Sequence, residues 1–144
     1  VNGGTPLHIA AFNGRDRCLE LLLADRRVDP NLTSVNGCTP LFAAACNGRD
    51  RCVEILLADA RVDPNLTFEN GVTPLYAAVD QGKDRCVEIL LADPRVDPNV
   101  ADVNGSTPLY IAANNGKDHC LEHLLADEFT SESGGTASGR VPCK

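Results

Sequence analysis

The sequence predicts an all-α repeat protein, a solenoid of four helix-turn-helix units joined by β-hairpin-like loops, and three observations carry that prediction. Thr-Pro-Leu recurs at Thr5, Thr39, Thr73 and Thr107, a fixed step of 34 residues. The same step relates Gly14, Gly48, Gly82 and Gly116, then Cys18, Cys52, Cys86 and Cys120, and then the Leu-Leu-Ala-Asp runs ending at Asp25, Asp59, Asp93 and Asp127. Inside each unit, apolar residues return at helical spacing in two short stretches separated by turn-forming residues. A fixed period of this size marks stacked units, none of which can bury its apolar face alone. The units run over 1–34, 35–68, 69–102 and 103–127, and the Ser-, Gly- and Thr-rich remainder, 128–144, reads as a flexible or non-native tail.

The elements of a unit follow in order. Thr5 offers its hydroxyl as a cap to the first helix, and Pro6 falls at the first helical position, where a missing N–H is tolerated. Leu7, Ala10 and Ala11 give a narrow face of small residues, and Asn13-Gly14 ends the helix with a residue able to take positive φ. Asp16 is placed to cap the second helix, in which Cys18, Leu19, Leu22 and Leu23 form the apolar stripe while Arg17 and Glu20 occupy the wet face. Val28-Asp29-Pro30-Asn31 and then Asn36-Gly37 force the chain into an extended, hairpin-like excursion. Isolated helices shorter than about 12–15 residues are marginal in water, so both helices depend on stacking against neighbours. A 34-residue period alone also suits tetratricopeptide arrays, and the turn-helix-helix-return chemistry arbitrates between the two.

Thr5-Pro6-Leu7-His8-Ile9-Ala10-Ala11, Gly14, Leu22-Leu23 and the Val-Asp-Pro-Asn return resemble the ankyrin repeat, and the resemblance covers residues 1–126. The unit departs from the family's usual length of about 33 residues. Arg26, Ala60 and Pro94 stand where the family has Gly after the second helix, so the extra residue is expected to lengthen the loop between helix and hairpin. The signature histidine survives only as His8, with Phe42, Tyr76 and Tyr110 at the matching places. An aromatic ladder is expected there in place of the histidine's hydrogen bond. At the far end His123 follows Leu21, Ile55 and Ile89 at one position, and no Val-Asp-Pro-Asn follows Asp127, which reads as a polar C-terminal cap. The first unit shows no polar replacement and starts partway through its hairpin at Val1, so further units are expected upstream.

Comparing the four copies separates positions that the scaffold requires from positions that it leaves free. The copies differ at Gly4, Cys38, Val72 and Ser106, at His8, Phe42, Tyr76 and Tyr110, at Phe12, Cys46, Asp80 and Asn114, and in the hairpins at Ser34, Phe68 and Asp102 and at Val1, Val35, Glu69 and Val103. The resemblance implies that these fall on hairpin tips and the exposed side of the first helices, lining a concave face that binds another protein. The candidate contact residues are Phe12, Cys38, Phe42, Cys46, Phe68, Glu69, Val72, Tyr76, Asp80, Asp102, Ser106, Tyr110 and Asn114. Phe12, Phe42, Cys38 and Cys46 form an apolar half suited to an anchor side chain, and Glu69, Asp80 and Asp102 an acidic half. The second helices hardly vary, with Arg17, Arg51 and Arg85 beside Glu20, Glu54 and Glu88 as a solvated charge ladder. Two other roles stay open beside the binding module: a structural spacer, and the substrate-recruiting arm of an enzyme whose catalytic domain lies elsewhere.

Composition narrows the partner. Thirteen Lys and Arg against twenty Asp and Glu leave a net charge of −7, which repels phosphate backbones and anionic lipid, so neither nucleic acid nor membrane is expected. Aromatics make up only 4%, and Trp and Met are absent, unlike a conventional globular core. Apolar runs such as Leu21-Leu22-Leu23-Ala24 are far too short to span a bilayer, and no signal segment opens the chain. Cys18, Cys52, Cys86 and Cys120 sit one per unit on the apolar face. Packed helices lie about 8–10 Å apart, beyond the roughly 7 Å that a disulfide spans between Cα atoms, so these four read as small core residues. Cys38, Cys46 and Cys143 are odd in number and lack C-x-x-C spacing. Reduced thiols in an intracellular, cytoplasmic monomer without a cofactor fit that pattern. His119 and His123 lie four apart with Cys120 between them, too few ligands for a functional metal site. With three His, no Gly-rich phosphate loop and no H-E-x-x-H, no catalytic site is expected.

Overall fold

Each unit opens on a helix whose start is fixed within four residues. In a computed structural model describing residues 4–131, Thr5, Thr39, Thr73 and Thr107 are extended, and their hydroxyls accept the N–H three residues on at 3.0, 3.1, 3.1 and 3.2 Å. Proline then begins α1 (Pro6–Phe12), α3 (Pro40–Cys46), α5 (Pro74–Asp80) and α7 (Pro108–Asn114). Each ends at a left-handed glycine, Gly14, Gly48, Gly82 or Gly116, with φ between 67° and 70°. Torsion demands glycine at all four, and at Gly14 and Gly48 space is tight as well. A Cβ on Gly14 would stand 3.0 Å from Cδ of Arg49, and one on Gly48 3.0 Å from Cδ of Lys83, because the next unit's cation lies across the turn.

The second helices are α2 (Asp16–Ala24), α4 (Asp50–Leu57), α6 (Asp84–Ala92) and α8 (Asp118–Ser131), the last continuing past the boundary expected at 127. First helices touch first helices and second helices touch second helices in chain order, giving two rows. One apolar cluster runs between them from Leu7 to Leu124. Ala10, Ala11, Ala44, Ala45, Ala78 and Ala112 belong to it, so the rows approach closely and few large aromatics are needed. Leu7, Leu19, Leu41, Leu56, Leu75 and Leu90 are fully buried, each contributing roughly 1.5–3 kcal/mol relative to exposure.

Three expectations are corrected at the unit boundaries. Asp16 does not cap α2: Arg15 holds that position, without a side-chain bond. Asp16 stands one residue inside the helix, and its Oδ1 accepts the thiol of Cys52 in the next unit at 3.1 Å. Asp50 does the same for Cys86 at 3.0 Å, and Asp84 for Cys120 at 3.2 Å. Cys18, expected in the core with its three counterparts, is exposed, because these thiols point at the preceding unit and none precedes it among the described residues. His123, read as the polar outer face of the last unit, instead lies at the interface with the third, its Nε2 3.1 Å from Oε2 of Glu88. The position it shares with Leu21, Ile55 and Ile89 faces the preceding unit, which leaves Leu21 56% exposed.

After each of the first three second helices stands an Asp-x-Arg clamp. Arg61 donates from its backbone N–H and its guanidinium to the Asp59 carboxylate at 2.8 to 3.1 Å, and Asp25 with Arg27 and Asp93 with Arg95 repeat the arrangement. Held this way, Arg61 reaches back to the carbonyls of Leu23 and Val28 at 3.0 and 2.9 Å, and Arg95 to those of Leu57 and Val62 at 2.8 Å each. Leu23 and Leu57 stand in the last turns of α2 and α4, where carbonyls lack intrahelical partners and carry the negative dipole end, so a cation from the next unit satisfies that end while also tying down the Val28 or Val62 carbonyl of the return. Asn31 adds a second link, donating to the Arg61 carbonyl and accepting the Asp63 N–H, both at 2.8 Å, and Asn65 repeats it with Arg95 and Asp97.

The hairpin-like loops are tight turns, and no strand forms among the described residues. They close through Ser34 N–H to the Cys38 carbonyl, Phe68 N–H to that of Val72, and Asp102 N–H to that of Ser106, at 2.8 to 2.9 Å. Val1 and residues 132–144, with Cys143 and most of the expected tail, lie outside the described residues.

Candidate interaction face

Residues four apart on a short helix share one line of its surface. His8 and Phe12 do so on α1, and Phe42 and Cys46 on α3, with Cys38 extending the second line into the hairpin. Phe12, Cys38, Phe42, Cys46 and Phe68 thereby converge on one cavity of about 630 Å³ between the first two units, with Ile9 and Val35 completing its apolar wall. Phe12 is 46% exposed there and stacks on the His8 ring, with centroids 6.2 Å apart. Phe42 packs on Phe68 at 4.8 Å. Burial lowers the His8 pKa and so favours its neutral ring, whose Nδ1 is buried without a hydrogen-bond partner among the described residues.

Two thiols line the same wall. Burial, then the neighbouring Cys46, pushes the Cys38 pKa up to about 11, and burial, then Asp80, raises that of Cys46. Nucleophilic cysteines need a lowered pKa, so these act as apolar lining.

The other candidates do not line the cavity. Tyr76 is buried, Val72, Asp80, Asp102, Ser106 and Tyr110 are half-buried, and Glu69 and Asn114 are exposed. Tyr76 donates its hydroxyl to Oδ2 of Asp102 at 2.8 Å, and burial together with that carboxylate raises its pKa. Oδ1 of Asp102 accepts the N–H groups of Asn104 and Ser106 at 2.8 and 2.9 Å. Asp102 thus anchors the hairpin that leads into the fourth unit. Asp80 accepts from Asn115 Nδ2 at 3.0 Å.

The expected aromatic ladder along the first helices does not form. Phe42 and Tyr76 each reach forward to the following hairpin, one to an aromatic ring and the other to a carboxylate. Phe42 with Phe68, and Tyr76 with Asp102, therefore differ between copies as matched partners.

Charge is divided by element. Among the described residues no Lys or Arg belongs to a hairpin or first helix, whereas Glu69, Asp80 and Asp102 do. The cations sit on the second helices and their flanking loops. Among the described residues no group of three or more His, Cys, Asp or Glu is placed to hold a metal ion, and no helix is long and apolar enough to cross a membrane.

Sequence reasoning missed the residues that bind unit to unit. Their signal was the recurrence of Asp16-x-Cys18 and of Asp25-x-Arg27-Val28-Asp29-Pro30-Asn31 at the 34-residue step, more identity than helix propensity or turn formation requires.

The family described as Ankyrin repeats (3 copies) matches residues 7–102, and that described as Ankyrin repeat matches residues 104–129. No curated protein matches the chain. Capped proline-led helices, left-handed glycines and paired helix rows run through both matched stretches, and the chain belongs to the ankyrin repeat family.

Proposed function

We propose that the chain is a non-catalytic scaffold that binds another protein across its hairpins and first helices, with the cavity between the first two units taking an apolar anchor side chain. Ankyrin repeats are generally protein–protein interaction modules, and the family is typically non-catalytic. The observation that carries the reading is the convergence of Phe12, Cys38, Phe42, Cys46 and Phe68 on one open apolar cavity. Interfaces draw most of their energy from a few large side chains seated in such pockets. The walls are helices pinned by caps and core contacts, so binding orders little of the scaffold. Glu69, Asp80 and Asp102 favour basic residues beside the anchor, since no Lys or Arg belongs to a hairpin or first helix among the described residues. The partner is a protein; nucleic acid and anionic membrane are repelled by the net charge of −7, and the chain acts as a cytoplasmic monomer.

Phe12 and Val35 are exposed, so charging them leaves the core intact. Phe12→Asp with Val35→Asp is expected to weaken a captured partner at least about tenfold by calorimetry, while Leu32→Asp, outside the cavity lining, leaves affinity unchanged. Equal affinity of all three proteins would remove the cavity from the binding surface.

A further inference from the structure

Charge also changes along the stack. Residues 4–12 and 34–47, which hold α1, α3 and the hairpin that opens the second unit, contain no Asp, Glu, Lys or Arg. The apolar cavity lies among them, and Phe68, from the hairpin leading into the third unit, joins its wall. Acid begins on that side. Glu69 follows Phe68 directly and is exposed. Burial, then the Asp80 carboxylate, raises the pKa of the Cys46 thiol in the cavity wall, and Asp80 outweighs Lys83, which pulls the other way. The Asp80 oxygens accept from the amides of Gln81 and Asn115 at 3.3 and 3.0 Å, neutral donors that leave its charge in place. At the first-unit end the sign is opposite, since Nε of Arg49 donates to the Phe12 carbonyl at 3.1 Å. Asp102 opens the hairpin one unit beyond Phe68, and its oxygens already serve the Tyr76 hydroxyl and two backbone N–H groups.

We propose that the partner presents a segment with a large apolar side chain and a Lys or Arg about 8–10 Å from it, the cation lying on the third-unit side, where Glu69 and Asp80 receive it. The assignment rests on the anchor being seated in the cavity as above, and adds the sign, the distance and the order of the second contact. Distance comes from the stack. Neighbouring first helices touch, contacting helices lie about 8–10 Å apart, and Cys46 and Asp80 hold the same position in successive units. An extended segment covers that distance in about three residues, and a helical one in about six or seven. Order comes from the unlike ends: a cation placed on the first-unit side meets Arg49, whereas one on the third-unit side meets two carboxylates. Asp102, a unit further on, adds only a long-range pull.

Short random peptides displayed on phage, selected on the intact chain and sequenced, supply the probe. Enriched peptides are expected to combine Trp, Phe or Leu with Lys or Arg at a constant separation, about three residues in extended sequences or about six or seven in helical ones. Changing that cation to Ala in a synthetic copy should weaken binding about three- to tenfold by fluorescence anisotropy, with the difference shrinking as salt is added. The chain carrying Glu69→Gln and Asp80→Asn, its fold checked by circular dichroism, should still select the apolar residue, lose the cation, and bind the synthetic peptide and its Ala version equally. Apolar residues selected without a cation, or a cation preference that survives both substitutions, overturns the assignment while leaving the cavity as the anchor site. Enrichment of the same peptides on the chain with Phe12→Asp and Val35→Asp, or no enrichment on the native chain, overturns the anchor site together with it.

Discussion

A thiol beside a carboxylate keeps its proton, because releasing it would bury a second anion next to the first. Burial, reinforced by the bonds to Asp16 and Asp84, pushes the pKa values of Cys52 and Cys120 up to about 12, and Cys86 is raised in the same way. An unperturbed thiol titrates near 8.5, so the unfolded chain releases these protons first. The stabilisation is therefore fully present below about pH 8.5 and is lost as pH rises toward about 12. The urea midpoint is expected to hold from pH 7 to 8 and then fall, and Cys86→Ala should flatten that fall. A midpoint level to pH 10.5 would be incompatible with the thiol–carboxylate bonds. The arginine clamps give a matched pair of substitutions. Arg95→Ala leaves the carbonyls of Leu57 and Val62 without their donor and is expected to cost about 1–2 kcal/mol, kept small by its partial exposure. Arg27→Ala breaks only the bonds within its own clamp and should leave the urea midpoint where it is.

Among the elements, the first helices are the ones written most completely into local sequence. Threonine cap, proline at the first position and left-handed glycine all act within a few residues of one another, so the 34-residue recurrence displays them directly. Thr73→Ala removes a cap at a buried helix start and is expected to cost about 1 kcal/mol in chemical denaturation, without loss of the helix from the far-ultraviolet spectrum. The second helices were legible as helices but not in the role of Asp16. Asp suits both the cap and the first turn, and a thiol 36 residues away decides between them. Phe12, Cys38, Phe42 and Cys46 were legible as an apolar group because they vary between copies and the resemblance set them on first helices and hairpins, and all four line the one cavity. The scaffold role of Asp102 was not, because a carboxylate that varies between copies looks unconstrained until its hydroxyl partner, Tyr76, is placed beside it.

At the scale of the whole molecule, two continuous features link the units, and magnitude decides which of them holds the stack. Along the second helices, Arg17, Glu20, Arg51, Glu54, Arg85, Glu88 and His123 form an unbroken zigzag with steps of 2.9 to 3.7 Å. Exposed ion pairs contribute about 0–1 kcal/mol each and weaken with salt, whereas truncating one buried leucine costs about 2–5 kcal/mol. The apolar seam therefore carries the stability. Leu56→Ala, at its centre, is expected to cost about 3–4 kcal/mol, and adding 0.5 M NaCl to the native chain should move the urea midpoint little.

Stability in such a stack is a sum of unit and interface contributions, and the first unit has only one interface among the described residues while the second and third have two. Its leading face leaves Cys18 and Leu21 in water. Amide hydrogen exchange is therefore expected to be slowest in α3, α4, α5 and α6 and at least about tenfold faster in α1 and α2, reporting local opening of the end unit below the free energy of global unfolding. Leu75→Ala, in the third unit, should speed exchange in α3 through α6 more than in α1. If the amides of α1 exchange as slowly as those of α5 in the native chain, the four units open as one block, and the unit-by-unit account of stability fails.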